Sequence, residues 1–98
     1  MEIKINHGEQ MVVKLIGRLD TVTSTELAAA LEKEEISEPV VIIDASELEY
    51  ISSAGLRLLI SLKKDLTSKQ KSLEIHSLND VCMEVFRVTG FINVLTVK

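Results

Sequence analysis

The sequence predicts an α/β fold: one mixed β-sheet with elements in the order ββαβαβαβ and its helices packed on one side. Three observations lead there. The chain opens on "EIKINHGEQMVVKLI", two stretches with apolar and polar residues interleaved around a glycine-containing break, as in an antiparallel strand pair. Residues Val40 to Asp44, "VVIID", form a β-branched run without polar alternation, as a central strand of a parallel or mixed sheet has. Three segments with apolar residues at helical spacing then alternate with strands. Single-helix connections of this kind favour right-handed crossovers, which keep the helices in one layer when strand order progresses in one direction.

Taken in order, residues 2 to 6 and 11 to 16 read as the first two strands, with Ile3 and Ile5 on one face and "HGEQ" as the turn. After "GRLD" comes "TSTELAAALEKEEI", a helix with Thr23 and Glu26 at capping-box spacing and Leu27 and Leu31 one turn apart. Its end is marked by "SEP", because Pro39 lacks a donor and turns Glu38 away from helical angles. The central strand follows and is expected to stop near Asp44, which leaves "ASELEYIS" as a loop. The second helix carries Gly55, Leu58, Leu59, Leu62 and Leu66 within about 100° of arc, one core-facing stripe. "SLEIHSL" is the next strand. Asn79 or Asp80 then caps a third helix bearing Val81, Cys82, Val85 and Phe86, Gly90 stops it, and "NVLTV" is the last strand.

Bulk properties narrow the function classes. Ninety-eight residues, 46% apolar and 27% charged, make one domain over residues 1–98 and leave no room for a separate catalytic domain. The net charge of −4, with no basic cluster denser than "LKK" or "KQK", argues against a nucleic-acid partner. No apolar run has the length or the flanks of a signal peptide or membrane span, so a cytoplasmic protein without a membrane partner is expected. Cys82, the one cysteine, reads as a small buried hydrophobe. His7 and His76 stand at strand ends without metal-ligand spacing, so no metal is expected. The run "SSAGL" is not GxSxG, and no GxxxxGK[ST] loop exists. No catalytic residue and no cofactor follow from the sequence.

The informative stretch is "EYISSAGLRLLISL", Glu49 to Leu62, because it opens a helix at the end of the parallel strands, where α/β proteins place functional groups. Ser52 or Ser53 can cap that helix, a role worth about 1 kcal/mol that needs only one of them. The other reading is a phosphorylation acceptor, flanked by the small residues Ala54 and Gly55 so that a kinase can approach the backbone. A phosphate there would bring roughly −1.5 to −2 charges to a helix N-terminus, whose free amides and dipole favour it. Further along, Leu56 and Ile60 lie one turn apart off the main stripe, with Arg57, Lys63 and Lys64 nearby. They form either a docking patch or helix-layer packing.

The run "YISSAGLRLLISL", with "GRLD" upstream, "VVIIDASELEYI" leading in and the element order over essentially the whole chain, resembles a STAS domain of the bacterial anti-sigma factor antagonist family. The resemblance implies a switch protein that, unphosphorylated, binds an anti-sigma factor which is also a GHKL-type serine kinase, and so frees a sigma factor. Phosphorylation would dissociate the pair and a PP2C-type phosphatase would reset it. The implied acceptor is Ser53, with Ser52 as the alternative, and the implied partner-binding residues are Asp20, Ser52, Ala54, Gly55, Leu56, Arg57 and Ile60. The family pattern has an aspartate before the acceptor and Ser or Thr after it; here those positions hold Ser52 and Ala54. Asp20 is equally placed to satisfy turn amides before the first helix. STAS-like domains also serve as structural subunits of lipid-transport ABC complexes and stress-signalling assemblies, in which this segment would dock without phosphate chemistry.

Overall fold

The middle of the sheet is a 12-residue strand, Val40–Ile51, and the rest of the fold is arranged around it. The computed structural model describes residues 1–98. In chain order the elements are β1 (Glu2–Asn6), β2 (Met11–Leu19), α1 (Thr21–Glu32), β3 (Val40–Ile51), α2 (Ser53–Ser68), β4 (Ser72–His76), α3 (Asp80–Thr89), a 3₁₀ turn (Phe91–Asn93) and β5 (Thr96–Val97). The sheet order is β1-β2-β3-β4-β5, with β1 antiparallel to β2 and the other pairs parallel. The predicted order of elements and the mixed sheet are both observed.

Strand register separates the two faces of the sheet. Val13, Ile43 and Ile75 align across β2, β3 and β4, as do Met11, Val41 and Leu73, and all six are buried. Onto this face pack Leu27 and Leu31 of α1, Leu56, Leu59 and Leu66 of α2, and Cys82 and Phe86 of α3, in one continuous core. Each such aliphatic side chain contributes about 1.5–3 kcal/mol by leaving water. The alternate row, Lys14, Asp44 and His76, faces away from the helices. That face carries Val12, Ile16 and Ile42 among ion pairs: Lys14 with Glu47 at 2.6 Å, and Glu74 with His76 at 2.8 Å and Lys98 at 3.2 Å.

The structure corrects several element boundaries. β2 runs on through Gly17, Arg18 and Leu19, and Gly17 takes φ +109°, which a side chain would resist, between two register shifts. β3 does not end near Asp44: "ASELEYI" is strand, paired with β2 through Ile16–Glu47, Gly17–Leu48, Arg18–Tyr50 and Leu19–Ile51. Two register shifts insert extra residues in β3, so its buried positions become Ala45, Leu48 and Ile51, three apart instead of two. α1 begins at Thr21, not Thr23, and ends at Glu32, well before Pro39. Its capping box is formed by Asp20 and Thr23, and Glu26 has no part in it. Asn79 caps α3, whose Val81 is 57% exposed and outside the core. The last strand keeps only Thr96 and Val97 of the expected "NVLTV".

Candidate functional site

The two strand ends Leu19 and Ile51 are register partners, and each is followed by one capping residue and then a helix. The Ser52 amide donates to the Leu19 carbonyl at 2.9 Å, which joins the two strand-to-helix corners. Asp20 and Ser52, far apart in sequence, thereby cap neighbouring helices at the same edge of the sheet.

Each cap is built from its own residues. The Asp20 carboxylate accepts from the amides of Val22 and Thr23, both at 3.0 Å, while the Thr23 hydroxyl accepts from the Asp20 amide at 2.7 Å. The amide and hydroxyl of Thr23, then the Val22 amide and nearby Arg18, favour the ionised carboxylate and hold the Asp20 pKa below its ordinary value. Asp20 thus satisfies turn amides, one of the two roles open to it.

At the second corner the two serines differ. Ser52 is the N-cap of α2, and its hydroxyl accepts from the Gly55 amide at 3.3 Å. Ser53 is the first residue inside the helix and is exposed, and its hydroxyl takes part in none of the chain's side-chain hydrogen bonds. The helix leaves the amides of Ser53 and Ala54 without intrahelical acceptors, because the Leu56 amide takes the Ser52 carbonyl and the Gly55 amide takes the Ser52 hydroxyl. An exposed hydroxyl therefore stands beside two free amides at the positive end of a 16-residue helix.

The remaining expected contact residues divide by burial. Ser52, Ala54 and Ile60 are half-buried, and Arg57 is exposed. Gly55 and Leu56 are not surface residues. Leu56 is 1% exposed within the core, since the face α2 turns to the sheet is shifted from the expected stripe: Gly55, Leu56, Leu59 and Leu66 are buried, while Leu58 and Leu62 are only half-buried. A Cβ on Gly55 would stand 2.8 Å from Leu19 Cγ and 2.9 Å from Ile51 Cγ1. Gly55 serves close packing of the corner and does not keep the surface bare. Ile60 packs partly against the core, so of the two readings of Leu56 and Ile60, helix-layer packing is the one observed.

Sequence reasoning missed what flanks this corner. The Arg18 guanidinium lies 4.5 Å from the centre of the Tyr50 ring, a cation–π contact between register partners. Val22, the second residue of α1, is 68% exposed. "GRLD" and "EYIS" carried these residues, but without the β2–β3 register nothing in the sequence pairs them. Ser53 lies on open surface, outside the two main clefts, one between α1 and α2 and one along α3. Both histidines are engaged elsewhere: His7 with Glu34 and Glu38, and His76 with Glu74.

Residues 5–96 match the profile of the family described as "Mlab, STAS domain". The chain belongs to the STAS domain family. A curated relative, the anti-sigma-B factor antagonist of Listeria monocytogenes, is 28% identical over all of this chain and 87% of its own length. Among solved structures, the anti-sigma factor antagonist SpoIIAA in its unphosphorylated form superposes with a TM-score of 0.83 at 16% identity, covering 99% of this STAS domain and 88% of that chain. The Bacillus cell fate determinant SpoIIAA in the phosphorylated form gives 0.74 at 16% identity, covering 99% and 91%. At these identities the structural likeness is one of fold.

Proposed function

We propose that this STAS domain is an anti-sigma factor antagonist switched by phosphorylation of Ser53. Unphosphorylated, it binds a cognate anti-sigma factor that is also a GHKL-type serine kinase, and so releases a sigma factor. Phosphorylated, it no longer binds, and a PP2C-type phosphatase restores it.

The observation that carries this reading is the division of labour between the serines. Ser52 holds the cap while Ser53 presents an unengaged hydroxyl at the helix start. A phosphoryl group on Ser53 would meet the free amides of Ser53 and Ala54 and the positive end of α2 without displacing the cap. The fold would persist, and the change would be one of surface charge. Asp20, Ser52, Ala54 and Arg57 surround or adjoin that surface and are the proposed contacts, with Ile60 at its margin. The name of the Listeria relative, and the two phosphorylation forms in which SpoIIAA is known, support the reading.

The test is to incubate the protein with the cognate kinase and ATP and map the product by mass spectrometry, with Ser53→Ala in parallel. Modification of wild type at Ser53 and none in Ser53→Ala is the expected result. Modification at Ser52 would move the acceptor by one residue. Stoichiometric modification of Ser53→Ala at any other residue would end the assignment.

A second reading is a structural subunit whose corner docks a partner without phosphate chemistry. Ser52 and Ala54, in place of the acidic and hydroxyl residues of the family pattern, favour it. It predicts no phosphorylation by the kinase and a partner that binds Ser53→Asp as well as wild type.

A further inference from the structure

The leucines of α2 at positions 58, 62 and 66 lie on one side of the helix, yet only Leu66 is closed over; Leu58 and Leu62 are half-buried, as is Ile36 beyond the end of α1. The cause is opposite them. α1 meets this row with Ala28, part of the run Ala28–Ala30, too small to fill the space between the helices. A groove of about 470 Å³ remains, floored by Ala28, Leu31, Ile36, Leu58, Leu62 and Leu66. The core does not need these apolar surfaces exposed, and a larger residue at position 28 would cover them.

The groove rim is acidic. Glu32 and Glu34 line it on the α1 side and Asp65 on the α2 side; Lys69, the one lining cation, pairs with Asp65 at 3.3 Å, and His7, outside the lining, pairs with Glu34 at 2.8 Å. Three carboxylates less one ammonium leave −2 around an apolar floor, or −1 with His7 protonated on Glu34, on a chain whose net charge is −4. Leu58 and Leu62 are one turn apart, the spacing at which an amphipathic helix presents its own apolar residues.

We propose that this groove docks an amphipathic helix of a basic partner protein, with apolar side chains entering between α1 and α2 and lysines or arginines meeting Glu32, Glu34 and Asp65. Charge complementarity selects the partner and speeds its approach, and the apolar floor holds it. The groove excludes Ser53, so this inference stands or falls independently of the phosphorylation switch.

The test uses the full chain and a 14-residue peptide of leucine and lysine, with leucines at helical spacing, beside a counterpart with glutamate in place of lysine. Binding is measured by fluorescence anisotropy, and the site is mapped by amide chemical shifts. The expected result is saturable one-to-one binding of the leucine/lysine peptide, at least tenfold tighter than its acidic counterpart, with shifts centred on Ala28, Ile36, Leu58 and Leu62. Ala28→Leu fills the groove with apolar bulk while keeping a good helix former. It should keep or raise the melting temperature and weaken the peptide at least tenfold. Absence of saturable binding, equal affinity for both peptides, or shifts centred on the exposed Val81 and Val88 of α3 would overturn the proposal. So would Ala28→Leu binding as tightly as wild type, or self-association of the chain through the groove that excludes the peptide.

Discussion

Gly55 and Leu19 are packed so closely that a Cβ on the glycine would stand 2.8 Å from Leu19 Cγ. With Ile51 at 2.9 Å on the same side, this contact fixes how α2 leaves the sheet and therefore where Ser53 stands. Gly55→Ala improves helix propensity but must displace two core side chains, so it should destabilise the fold by about 1–3 kcal/mol. Chemical denaturation checks this. A variant as stable as wild type would show that the corner yields easily.

The two serines predict opposite outcomes for stability. Ser52→Ala removes the hydroxyl that caps the Gly55 amide and should cost about 1 kcal/mol. Ser53→Ala removes a hydroxyl without a partner in the fold and should leave the unfolding midpoint within about 0.5 kcal/mol of wild type. Equal losses would mean that both serines serve the cap.

Leu56 and Arg57, adjacent in sequence, separate core from surface. Leu56→Ala should cost about 2–5 kcal/mol through the cavity it leaves. Arg57→Ala should leave stability unchanged and slow association with the kinase, with the greatest effect at low salt. Stopped-flow binding measures the second effect, and an unchanged association rate would remove Arg57 from the interface.

His7 makes stability pH-dependent. Its Nε2 lies 2.8 Å from Glu34 and its Nδ1 2.7 Å from buried Glu38, and two carboxylate acceptors call for the doubly protonated ring. The hydrogen bond to Glu34, then that to Glu38, raises its pKa above the ordinary value near 6.5, against some desolvation. A pKa raised in the folded state gives stability that is fully present below the unfolded value and is lost as pH rises through the folded one. The melting temperature should therefore fall as pH climbs above about 6.5. In His7→Gln that decline should disappear. Glu38, Asp44, Asp20 and Glu74 are shifted down, so their contribution holds above about pH 4 and is lost below it. A proton NMR titration of His7 gives the shift directly.

Element order, the one-sided helical layer and the central strand were legible because "VVIID" is an unbroken β-branched run and the helical leucines recur at helical spacing. The far half of β3 was not. Register shifts put its buried residues at 45, 48 and 51, and charged Glu47 and Glu49 between them give the look of a loop. The start of α1 was obscured because Thr23, a good cap by type, is the reciprocal member of a box headed by Asp20. The same limit applied at the candidate site. Ser53 was singled out only by the family resemblance, with Ser52 as the alternative; which serine caps the helix depends on backbone angles, and Leu56 joined the core because packing turns the 55–56–59–66 face of α2 to the sheet. The closeness of Asp20 to Ser52 arises only from β2–β3 register.

The most direct test is the affinity of the cognate anti-sigma kinase for the unphosphorylated protein and for the same protein phosphorylated at Ser53, measured by calorimetry, with circular dichroism spectra of both. The switch predicts binding of the unphosphorylated form, at least a tenfold loss on phosphorylation, and unchanged helical content because Ser52 keeps the cap. Equal affinity of the two forms would contradict it.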